Sequence, residues 1–475
     1  MLNLAYFKRK SAAINDENAV EVVEDSYAPA IPYLSYPQKE PCQTITDTRF
    51  PNELDWVHYN AKIEALPRTP NRFNTNPQFW NNHQALRHRE MFDPLALRTK
   101  IQMSGDPFLS LFSTHERYRY RILNDEGEPC PPFSCEYNHV KRDGKLLAVA
   151  DEAGKISILE TDKDAYIEHE TARTQFYAHG NAVIDVKWSK DDEHLLTASG
   201  DRTARLWDAE THECISVMAG HDLTLKCANF HPTNKNLIVT GSKDGAIKLW
   251  DTRVCGARTA DSEMTHSAIK TIQYAHDENR TKKRRRTLPT KSKPQPLERS
   301  VTAAFYLPYK DNIIASSGSY DGQIKFWDCR AGRDAQCVES SEYDGDSARP
   351  RGILNMIMDN AGTRLFTLCT DHHIYERNIT DIRFSQQRYT NSDFLTGSGF
   401  YVQMSISPDD RYLLTGSREK TAFVWQVGRP QECHQFTGHE AEVSAVDWSK
   451  RDIGQLATCS DDFTVAIWNL DYSDD

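Results

Sequence analysis

One eleven-residue phrase constrains the fold of this chain more than any other feature of its sequence. It reads KDGAIKLWDTR over residues 243–253 and YDGQIKFWDCR over residues 320–330. Shorter or degenerate copies lie at 151–160, 200–208, 371–379, 418–425 and 461–468. A histidine preceded by glycine or alanine stands upstream of several copies, and successive tryptophans are 43 residues apart in two places. The chain therefore contains an internal repeat of about 40 to 45 residues.

The alternation of residues within the repeat is typical of a β-strand. In AIKLWD, Ile247 and Leu249 face one side while Lys248 and Trp250 face the other. Asp-Gly and Asp-Arg-Thr turns separate the predicted strands. Together with the Gly-His and Trp-Asp punctuation, this pattern predicts an all-β fold, a seven-bladed WD40 β-propeller over 116–471. The predicted units are 130–160, 178–210, 220–253, 275–330, 349–379, 400–428 and 438–471. We expect residues 116–123 to supply the outer strand that closes the ring onto the last blade.

Histidine, aspartate and tryptophan recur at fixed offsets, as in His221, Asp244 and Trp250. An acidic residue also stands six positions before tryptophan in other copies: Asp201/Trp207, Asp321/Trp327, Glu419/Trp425 and Asp462/Trp468. Since such sets occur once per unit, we interpret them as buried hydrogen-bond networks within the blades and not as catalytic pairs.

The remaining composition favours a binding protein. The net charge of −11 argues against a protein that binds nucleic acid over most of its surface. No apolar run approaches the roughly 20 residues of a membrane span. The 11 cysteines include no Cys-x-x-Cys pair, and no phosphate-binding, metalloprotease, hydrolase or dinucleotide motif is present. We therefore predict no catalytic residues, no metal, no cofactor and no membrane contact.

Folding does not explain the arginine that ends both long copies of the phrase. Arg253 and Arg330 follow Asp251 and Asp328 at the predicted end of a third strand, on the face opposite the Gly-His loops. Either arginine alone is accounted for as a solvated side chain. Two guanidinium groups at one offset in consecutive blades are suited to a protein interface. The preceding blade carries Glu210 at this position and interrupts the series.

Several stretches resemble the denticleless family of substrate receptors. The Trp-Asp-x-Arg motifs are typical of receptors that dock on the DNA-damage-binding adaptor of cullin-4 RING ubiquitin ligases. The likeness extends over about 130–471 and is strongest in PCPPFSCEY (129–137), LLAVADEAGKI (146–156), 178–253, SISPDDRYLLTGS (405–417) and LATCSDDFTVAIW (456–468). Because the sequence ends four residues after the last predicted unit, we expect a compact member without a long C-terminal tail.

The resemblance implies a non-catalytic receptor that recruits PCNA-bound degron proteins for ubiquitination. These would include replication licensing factors and replication inhibitors, degraded in S phase and after DNA damage. Arg253, Arg330, Asp251 and Asp328 would contact the adaptor, and cullin-4 and its RING subunit would be reached through it. The opposite face would bind a degron with a basic residue beyond its motif, so acidic and aromatic loop residues are candidates. These are Asp222, Tyr320, Asp371, Phe400, Glu440, Glu442 and Phe463.

The segment before the propeller divides into two parts. Residues 1–75 are expected to be largely disordered. In 76–103, an Asn-Pro and an Asp-Pro pair predict two helices, at about 77–91 and 94–102. Receptors that this chain resembles insert a helix-loop-helix into the adaptor, which implies that role for Trp80, Leu86 and Arg87. A helical cap packed on the propeller's own flank is the open alternative.

A basic insert over 277–299 interrupts the fourth predicted blade. Residues 281–299 carry eight basic side chains and one acidic one. The run Lys282, Lys283, Arg284, Arg285 and Arg286 reads as a nuclear localisation signal, and we expect the protein in the nucleus. Contact of this insert with DNA is a compatible expectation, since clustered positive charge binds phosphates without reading sequence.

The competing interpretation is a chromatin-associated WD40 scaffold that binds histone tails or nucleic acid. The paired arginines and the predicted helix pair distinguish the two, because a scaffold has no need of either.

Overall fold

The computed structural model describes residues 106–163, 173–254, 256–258, 264–277, 299–330, 335–346, 350–396 and 402–470. Three short elements precede the first blade: α1 (Asp106–Ser110), β1 (Phe112–Ser113) and β2 (Arg119–Arg121). A 3-10 turn at Glu116–Tyr118 leads into β2. The described chain then forms seven mainly antiparallel sheets, the blades of a propeller, which confirms the predicted fold class.

The first three blades contain the following strands. Blade 1 consists of β3 (Pro132–Tyr137), β4 (Leu146–Asp151), β5 (Lys155–Glu160) and β6 (Arg173–Tyr177), with a 3-10 turn at Lys141–Gly144. Blade 2 begins with β7 (Val183–Trp188), β8 (His194–Ser199), β9 (Thr203–Asp208) and β10 (Cys214–Ala219). Blade 3 begins with β11 (Leu225–Phe230), β12 (Leu237–Ser242) and β13 (Ile247–Asp251).

After β13 the chain makes a detour that the sequence did not predict. The strands β14 (Ala257–Arg258) and β15 (Met264–His266) extend the outer edge of blade 2, where β15 runs parallel to β10. Blade 2 therefore has six strands, and β16 (Lys270–Ile272) returns to complete blade 3. Strands of two and three residues are too short to show a two-residue period in the sequence.

The last four blades contain the following strands. Blade 4 consists of β17 (Val301–Leu307), β18 (Lys310–Gly318), β19 (Ile324–Asp328) and β20 (Gln336–Ser340). Blade 5 consists of β21 (Ile353–Met358), β22 (Arg364–Cys369), β23 (Ile374–Asn378) and β24 (Gln387–Tyr389). Blade 6 consists of β25 (Met404–Ile406), β26 (Tyr412–Thr415), β27 (Thr421–Gln426) and β28 (Arg429–Thr437). Blade 7 contains β29 (Val443–Trp448), β30 (Gln455–Ser460) and β31 (Thr464–Leu470).

Blade 7 is completed by the beginning of the described chain. The strand β2 pairs antiparallel with β31, Arg119 opposite Ala466 and Arg121 opposite Thr464. This is the closing strand that the sequence predicts. The first strand of each blade contacts the first strand of the next, from blade 1 to blade 7 and back to blade 1. Apolar side chains fill the spaces between neighbouring blades, so each blade is stabilised by the next.

The predicted histidine networks are present in four blades. In blade 3, His221 Nδ1 lies 2.9 Å from Asp244 Oδ2 and its Nε2 lies 2.8 Å from Thr240 Oγ1. The indole Nε1 of Trp250 donates to the same threonine oxygen at 2.9 Å. The equivalent pairs are His179/Asp201, His276/Asp321 and His439/Asp462. All four histidine side chains are buried, so these sets join strands within a blade.

The other three blades depart from this pattern. In blade 1, Leu159 stands where other blades have tryptophan. In blade 6, the indole nitrogen of Trp425 has no hydrogen-bond partner. In blade 5, Arg377 stands where other blades have tryptophan. Its buried guanidinium donates to Thr367 Oγ1 at 3.2 Å and to Asp344 Oδ2 at 3.0 Å. A charged side chain at the tryptophan position explains why the copy at 371–379 looks degenerate.

Candidate functional site

The ring has two faces that differ in their connections. Strands alternate in direction, so the connections between third and fourth strands lie at one end, which we call the arginine face because it holds Arg253 and Arg330. The turns between second and third strands lie at the other end, which we call the histidine face because it holds the loops of His179, His221 and His439. Among the described residues, Arg253 and Arg330 therefore lie on the face opposite the predicted substrate residues.

Arg253 is fixed by the aspartate two residues before it. Its backbone N–H and its Nε donate to Asp251 Oδ1 at 3.0 and 2.9 Å, and its Nη2 donates to Asp251 Oδ2 at 2.8 Å. The hydrogen bond from Arg253 lowers the pKa of Asp251, so the pair is ionic. The arginine side chain is nevertheless 58% exposed. The local chain thus orients a charged side chain that stays open to solvent.

Arg330 repeats this geometry one blade later. Its backbone N–H, Nε and Nη2 donate to the carboxylate of Asp328 at 2.8, 3.2 and 2.9 Å, and the side chain is 68% exposed. In blade 2, Asp208 forms the same kind of turn by accepting from the backbone N–H of Glu210 at 2.9 Å. The turn is therefore common to the three blades, while the arginine occurs in two of them.

A guanidinium group held in this way keeps donors for another molecule. Arginine has five N–H donors, of which Nε and one on Nη2 are used by the aspartate. The other three are oriented away from that carboxylate and can bind carbonyl or carboxylate oxygens of a protein partner. Whether these four residues contact the adaptor stays a prediction.

The described chain enters the ring from the arginine face. The strand β1 pairs with the end of β31, Phe112 opposite Leu470. The Phe108 ring stacks on Tyr412 at 5.6 Å between centroids, and Tyr412 stacks on Trp448 at 5.9 Å. The described chain therefore begins next to this face. The predicted elements 1–75 and 76–103, with Trp80, Leu86 and Arg87, lie outside the described residues.

The predicted substrate residues are spread over the histidine face. Asp222 and Glu440 occupy equivalent positions beside blades 3 and 7, where their backbone N–H groups donate to Asp244 and Asp462 at 3.0 Å. Both side chains are exposed. Tyr320, in blade 4, is 45% exposed, with the Arg299 guanidinium 5.6 Å from its ring centroid. Phe400 lies outside the described residues.

Blade 7 brings three of the predicted residues into one loop region. Glu440 and Glu442 precede β29, and Phe463 is in the turn between β30 and β31. Burial and the charge of Asp461 raise the pKa of Glu442. Phe463 has a φ of 67° and is 37% exposed, an unusual backbone conformation for a bulky residue on a surface. An acidic and aromatic surface is therefore present in this blade, as a basic peptide requires.

Asp371 lines a cavity of about 440 Å³ between blades 4 and 5. Its carboxylate accepts from the hydroxyl groups of Tyr375 at 2.7 Å and Tyr343 at 3.5 Å. The other lining residues are Asp346, Arg351, Thr370, His372 and His373. Sequence reasoning found only Asp371, because the cavity is formed by the connection from β20 to β21 together with the turn between β22 and β23.

The basic insert begins and ends on the histidine face. Its two ends are joined by an ion pair between Asp277 and Arg299. The predicted localisation residues 282–286 lie outside the described residues.

One group of potential metal ligands occurs in the described part of the chain, at Asp191, Glu193 and His194. The ammonium of Lys235 lies 2.8 Å from Asp191 Oδ2 and also contacts Glu193. An ion pair thus accounts for this acidic group, and the group gives no reason to propose a metal.

Sequence reasoning also missed an Asp-x-Arg at 381–383, in the connection between the third and fourth strands of blade 5. There Arg383 donates from its backbone N–H and its Nε to Asp381 Oδ1 at 3.2 and 3.1 Å. The signal was available as the tripeptide Asp-Ile-Arg, but no tryptophan precedes it.

Comparison with known proteins agrees with the repeat analysis. The WD40 family, described as "WD domain, G-beta repeat", matches residues 170–208, 212–251, 297–328, 392–426 and 430–469. These ranges correspond to blades 2, 3, 4, 6 and 7. In the described part of the chain, no helix is long and apolar enough to cross a membrane.

Several curated relatives share one name. The human Denticleless protein homolog is 34% identical over 388 residues, which cover 79% of this chain and 50% of the relative. Denticleless protein homolog A of Xenopus laevis is 34% identical over 72% of this chain and 49% of its own length. Protein lethal(2)denticleless of Drosophila melanogaster is 32% identical over 72% of this chain and 45% of its own length. The chain thus spans about half the length of the curated relatives it matches.

Proposed function

This chain belongs to the denticleless family of WD40 proteins, and from that premise we propose that it is the substrate-recognition subunit of a cullin-4 RING ubiquitin ligase. In this proposal the arginine face binds the DNA-damage-binding adaptor, and cullin-4 and the RING subunit are reached through that adaptor. The histidine face recruits PCNA-bound degron proteins.

The observation that carries the proposal is the repeated arginine geometry. Arg253 and Arg330 each form an ion pair with the aspartate two residues before them, and both side chains remain more than half exposed. They follow the same strand in consecutive blades. Exposed pairs of this kind add little to folding. Oriented arginines are favoured at protein interfaces because their side chains lose little further freedom on binding.

The path of the N-terminal segment supports the same face as the docking surface. The strand β1 runs along the end of β31, so the described chain begins next to the arginine face. We propose that residues 76–103, with Trp80, Leu86 and Arg87, add to adaptor binding from there.

The substrate proposal rests on the histidine face. Glu440, Glu442 and Phe463 combine acidic and aromatic side chains in blade 7, and Asp371 contributes a carboxylate at the cavity of blade 5. This chemistry suits a degron whose specificity depends on a basic residue. The proposed substrates are replication licensing factors and replication inhibitors, degraded in S phase and after DNA damage.

The chain itself is proposed to be non-catalytic. It would hold a substrate near a recruited ubiquitin-conjugating enzyme, so that proximity accelerates transfer. The proposed location is the nucleus, with Lys282–Arg286 as the localisation signal. Contact of the same insert with DNA would bring the receptor close to loaded PCNA.

The test is co-purification of the adaptor with the native protein and with an Arg253→Ala/Arg330→Ala variant. We expect the variant to lose the adaptor while its melting temperature stays within about 2 °C of native. The matched control is Arg429→Ala, which removes another exposed arginine, paired with Glu432 at 3.0 Å, from the arginine face of blade 6. This control should retain the adaptor.

Each outcome separates the interpretations. Loss of the adaptor in the double variant alone supports the ligase proposal. If even the native protein fails to bind the adaptor, the chromatin-associated WD40 scaffold becomes the better interpretation, and binding to histone tails and nucleic acid would be measured next.

A further inference from the structure

The cavity beside Asp371 is built by two segments that a backbone hydrogen bond joins. One is the connection from β20 to β21, which carries Arg351, and the other is the turn between β22 and β23, at 370–373. The backbone N–H of Thr370 donates to the carbonyl of Gly352 at 2.9 Å. The arginine therefore lies beside the turn, at a cavity of about 440 Å³ that opens on the histidine face.

The two carboxylates at this cavity already have partners. Asp371 accepts from two tyrosine hydroxyls, at 2.7 and 3.5 Å, and from the backbone N–H of His373 at 3.2 Å. A carboxylate has about four acceptor sites, so most of those of Asp371 are used by the protein itself. Asp346 forms an ion pair with Arg388 at 2.8 Å. The acidic residues therefore leave little acceptor capacity for a cationic ligand.

Arg351 has no such partner. Within the described part of the chain, its guanidinium group makes no hydrogen bond or ion pair, and the side chain is exposed. The Thr370 hydroxyl likewise makes no hydrogen bond to a described residue. Both side chains line the cavity. Five N–H donors and one hydroxyl are therefore available to a ligand.

His372 adds a donor whose position follows from its hydrogen bonds. Its Nδ1 accepts from the backbone N–H of Thr396 at 3.0 Å, so the hydrogen of the neutral ring is on Nε2. That Nε2–H makes no hydrogen bond to any residue the structure describes. In His373, by contrast, Nδ1 donates to the Asp371 carbonyl at 2.7 Å, so Nε2 is an acceptor unless the ring is protonated. Of the two imidazoles, His372 is the one that donates to a ligand when neutral.

We propose that this cavity binds an anionic oxygen group, a phosphate or a carboxylate, through Arg351, His372 Nε2–H and the Thr370 hydroxyl. A planar guanidinium group donates two parallel hydrogen bonds to either anion, and the other two donors bind its remaining oxygen atoms. Asp371 has a positioning role here, because it holds the tyrosine hydroxyls and the turn. The inference goes beyond the proposed function, since it requires neither the adaptor nor a degron.

The experiment titrates the full chain with two capped tripeptides, one centred on phosphoserine and the other on aspartate, by isothermal titration calorimetry. About 0.1 M salt screens charges that lie more than about 10 Å apart. We expect Arg351→Gln to weaken binding at least about tenfold, because it removes a charge-assisted pair of hydrogen bonds. His372→Asn should weaken it about threefold, and asparagine tolerates the φ of 67° at this position. The matched control is Arg418→Gln, in the equivalent turn of blade 6, which should change the affinity by less than about twofold.

Asp371→Asn distinguishes an anion site from a cation site. It removes a negative charge from the cavity and keeps an oxygen atom that accepts from a tyrosine hydroxyl. The affinity for the anionic tripeptides should therefore equal or exceed that of the native protein. A third tripeptide, centred on arginine, would lose affinity in the same variant if the carboxylate were the binding group. Thermal melting of each variant verifies that it folds.

The results separate clearly. Binding of either anionic tripeptide that Arg351→Gln weakens and Arg418→Gln does not supports the inference, and the tighter of the two identifies the preferred anion. Failure of both to bind the native protein overturns it, as does equal weakening by the two arginine variants or preferential binding of the arginine tripeptide. Since the adaptor takes no part in this titration, its co-purification tests the proposed function independently.

Discussion

Arg330 closes on Asp328 through its Nε at 3.2 Å and its Nη2 at 2.9 Å, and the aspartate accepts the Arg330 backbone N–H as well. The Asp328 carboxylate therefore fixes the orientation of the Arg330 guanidinium group, within a turn that the Arg330 backbone N–H also stabilises. Such a pair contributes little to the free energy of unfolding when both groups are solvated. Its effect is to restrict the arginine before a partner arrives, which reduces the entropy lost on binding.

The holding role of the aspartates can be tested separately from the arginines. We expect Asp251→Asn/Asp328→Asn to fold normally and to bind the adaptor about tenfold more weakly, because two long side chains must then be ordered on binding. This loss should be smaller than that of the double arginine variant. The measurement is an adaptor titration. Glu432→Gln is the control, because it removes the ion pair of another exposed arginine, Arg429. Affinity equal to native would mean that the aspartates do not orient the arginines for binding.

Stability in acid should depend on the buried histidine networks. Burial alone would raise the pKa of Asp201, but hydrogen bonds from His179 and Thr203 outweigh it and lower the pKa to about 2. In the unfolded chain, the pKa of an aspartate carboxyl group is about 3.9. The stabilisation of the folded state by the ionised Asp201 carboxylate is thus fully present above the unfolded pKa and is lost as the pH falls toward 2. Between about pH 5 and 2, we expect the free energy of unfolding of the native protein to fall by about 2 kcal/mol more than that of the Asp201→Asn variant.

The measurement is the urea-unfolding midpoint of both proteins at several pH values across that window. Other carboxyl groups titrate in both proteins, so the difference between them isolates Asp201. Parallel pH profiles would contradict a charged Asp201 in the folded blade.

The attachment of the N-terminal segment offers another prediction. Phe112 is buried, and its ring lies 5.8 Å from that of Phe436 and 5.9 Å from that of Trp448. We expect Phe112→Ala to cost about 3 kcal/mol of stability. If the proposed function is correct, adaptor affinity should also fall, because β1 would no longer hold the start of the described chain at the arginine face.

Phe394→Ala is the matched control for that variant. Phe394 is a buried aromatic residue in the connection before blade 6, and its ring makes edge-to-face contacts with Phe423 and Trp425 of that blade. It should lower stability to a similar extent and leave adaptor affinity unchanged. Equal affinity for both variants would argue that the attachment of β1 does not contribute to docking.

The fold was largely predictable because each blade repeats the same signal. Strand alternation, the turn aspartates and the tryptophan position recur often enough that single departures, such as Arg377 in blade 5, do not hide the count. The strands β14 and β15 were not predictable, since they belong to a connection and pair with an earlier blade. Their positions depend on tertiary contacts that a two-residue period does not encode.

The candidate site was less predictable, for reasons of geometry. Arg253 and Arg330 were found because a repeat places them at one offset. Arg383 was missed because an additional turn after Asn378 shifts it by three residues. The cavity at Asp371 was missed because Asp346 and His372 come from separate loops, the connection into blade 5 and the turn between β22 and β23. The local sequence does not indicate which loops become neighbours in the folded protein.

The turn of Phe463 allows a test that separates substrate binding from folding. Its φ of 67° lies in the left-handed region, where a side chain costs roughly 1 kcal/mol and glycine costs little. We expect Phe463→Gly to keep its stability within about 1 kcal/mol of native, because relief of strain offsets the lost contacts of a partly exposed ring. Capture of a PCNA-bound peptide with a basic residue after its motif should nevertheless fall about tenfold, as for an aromatic hot spot. Lys420→Gly is the matched control, with a φ of 63° in the equivalent turn of blade 6. Normal capture by Phe463→Gly would remove blade 7 from the proposed substrate surface and leave the cavity of blade 5 as the region to test.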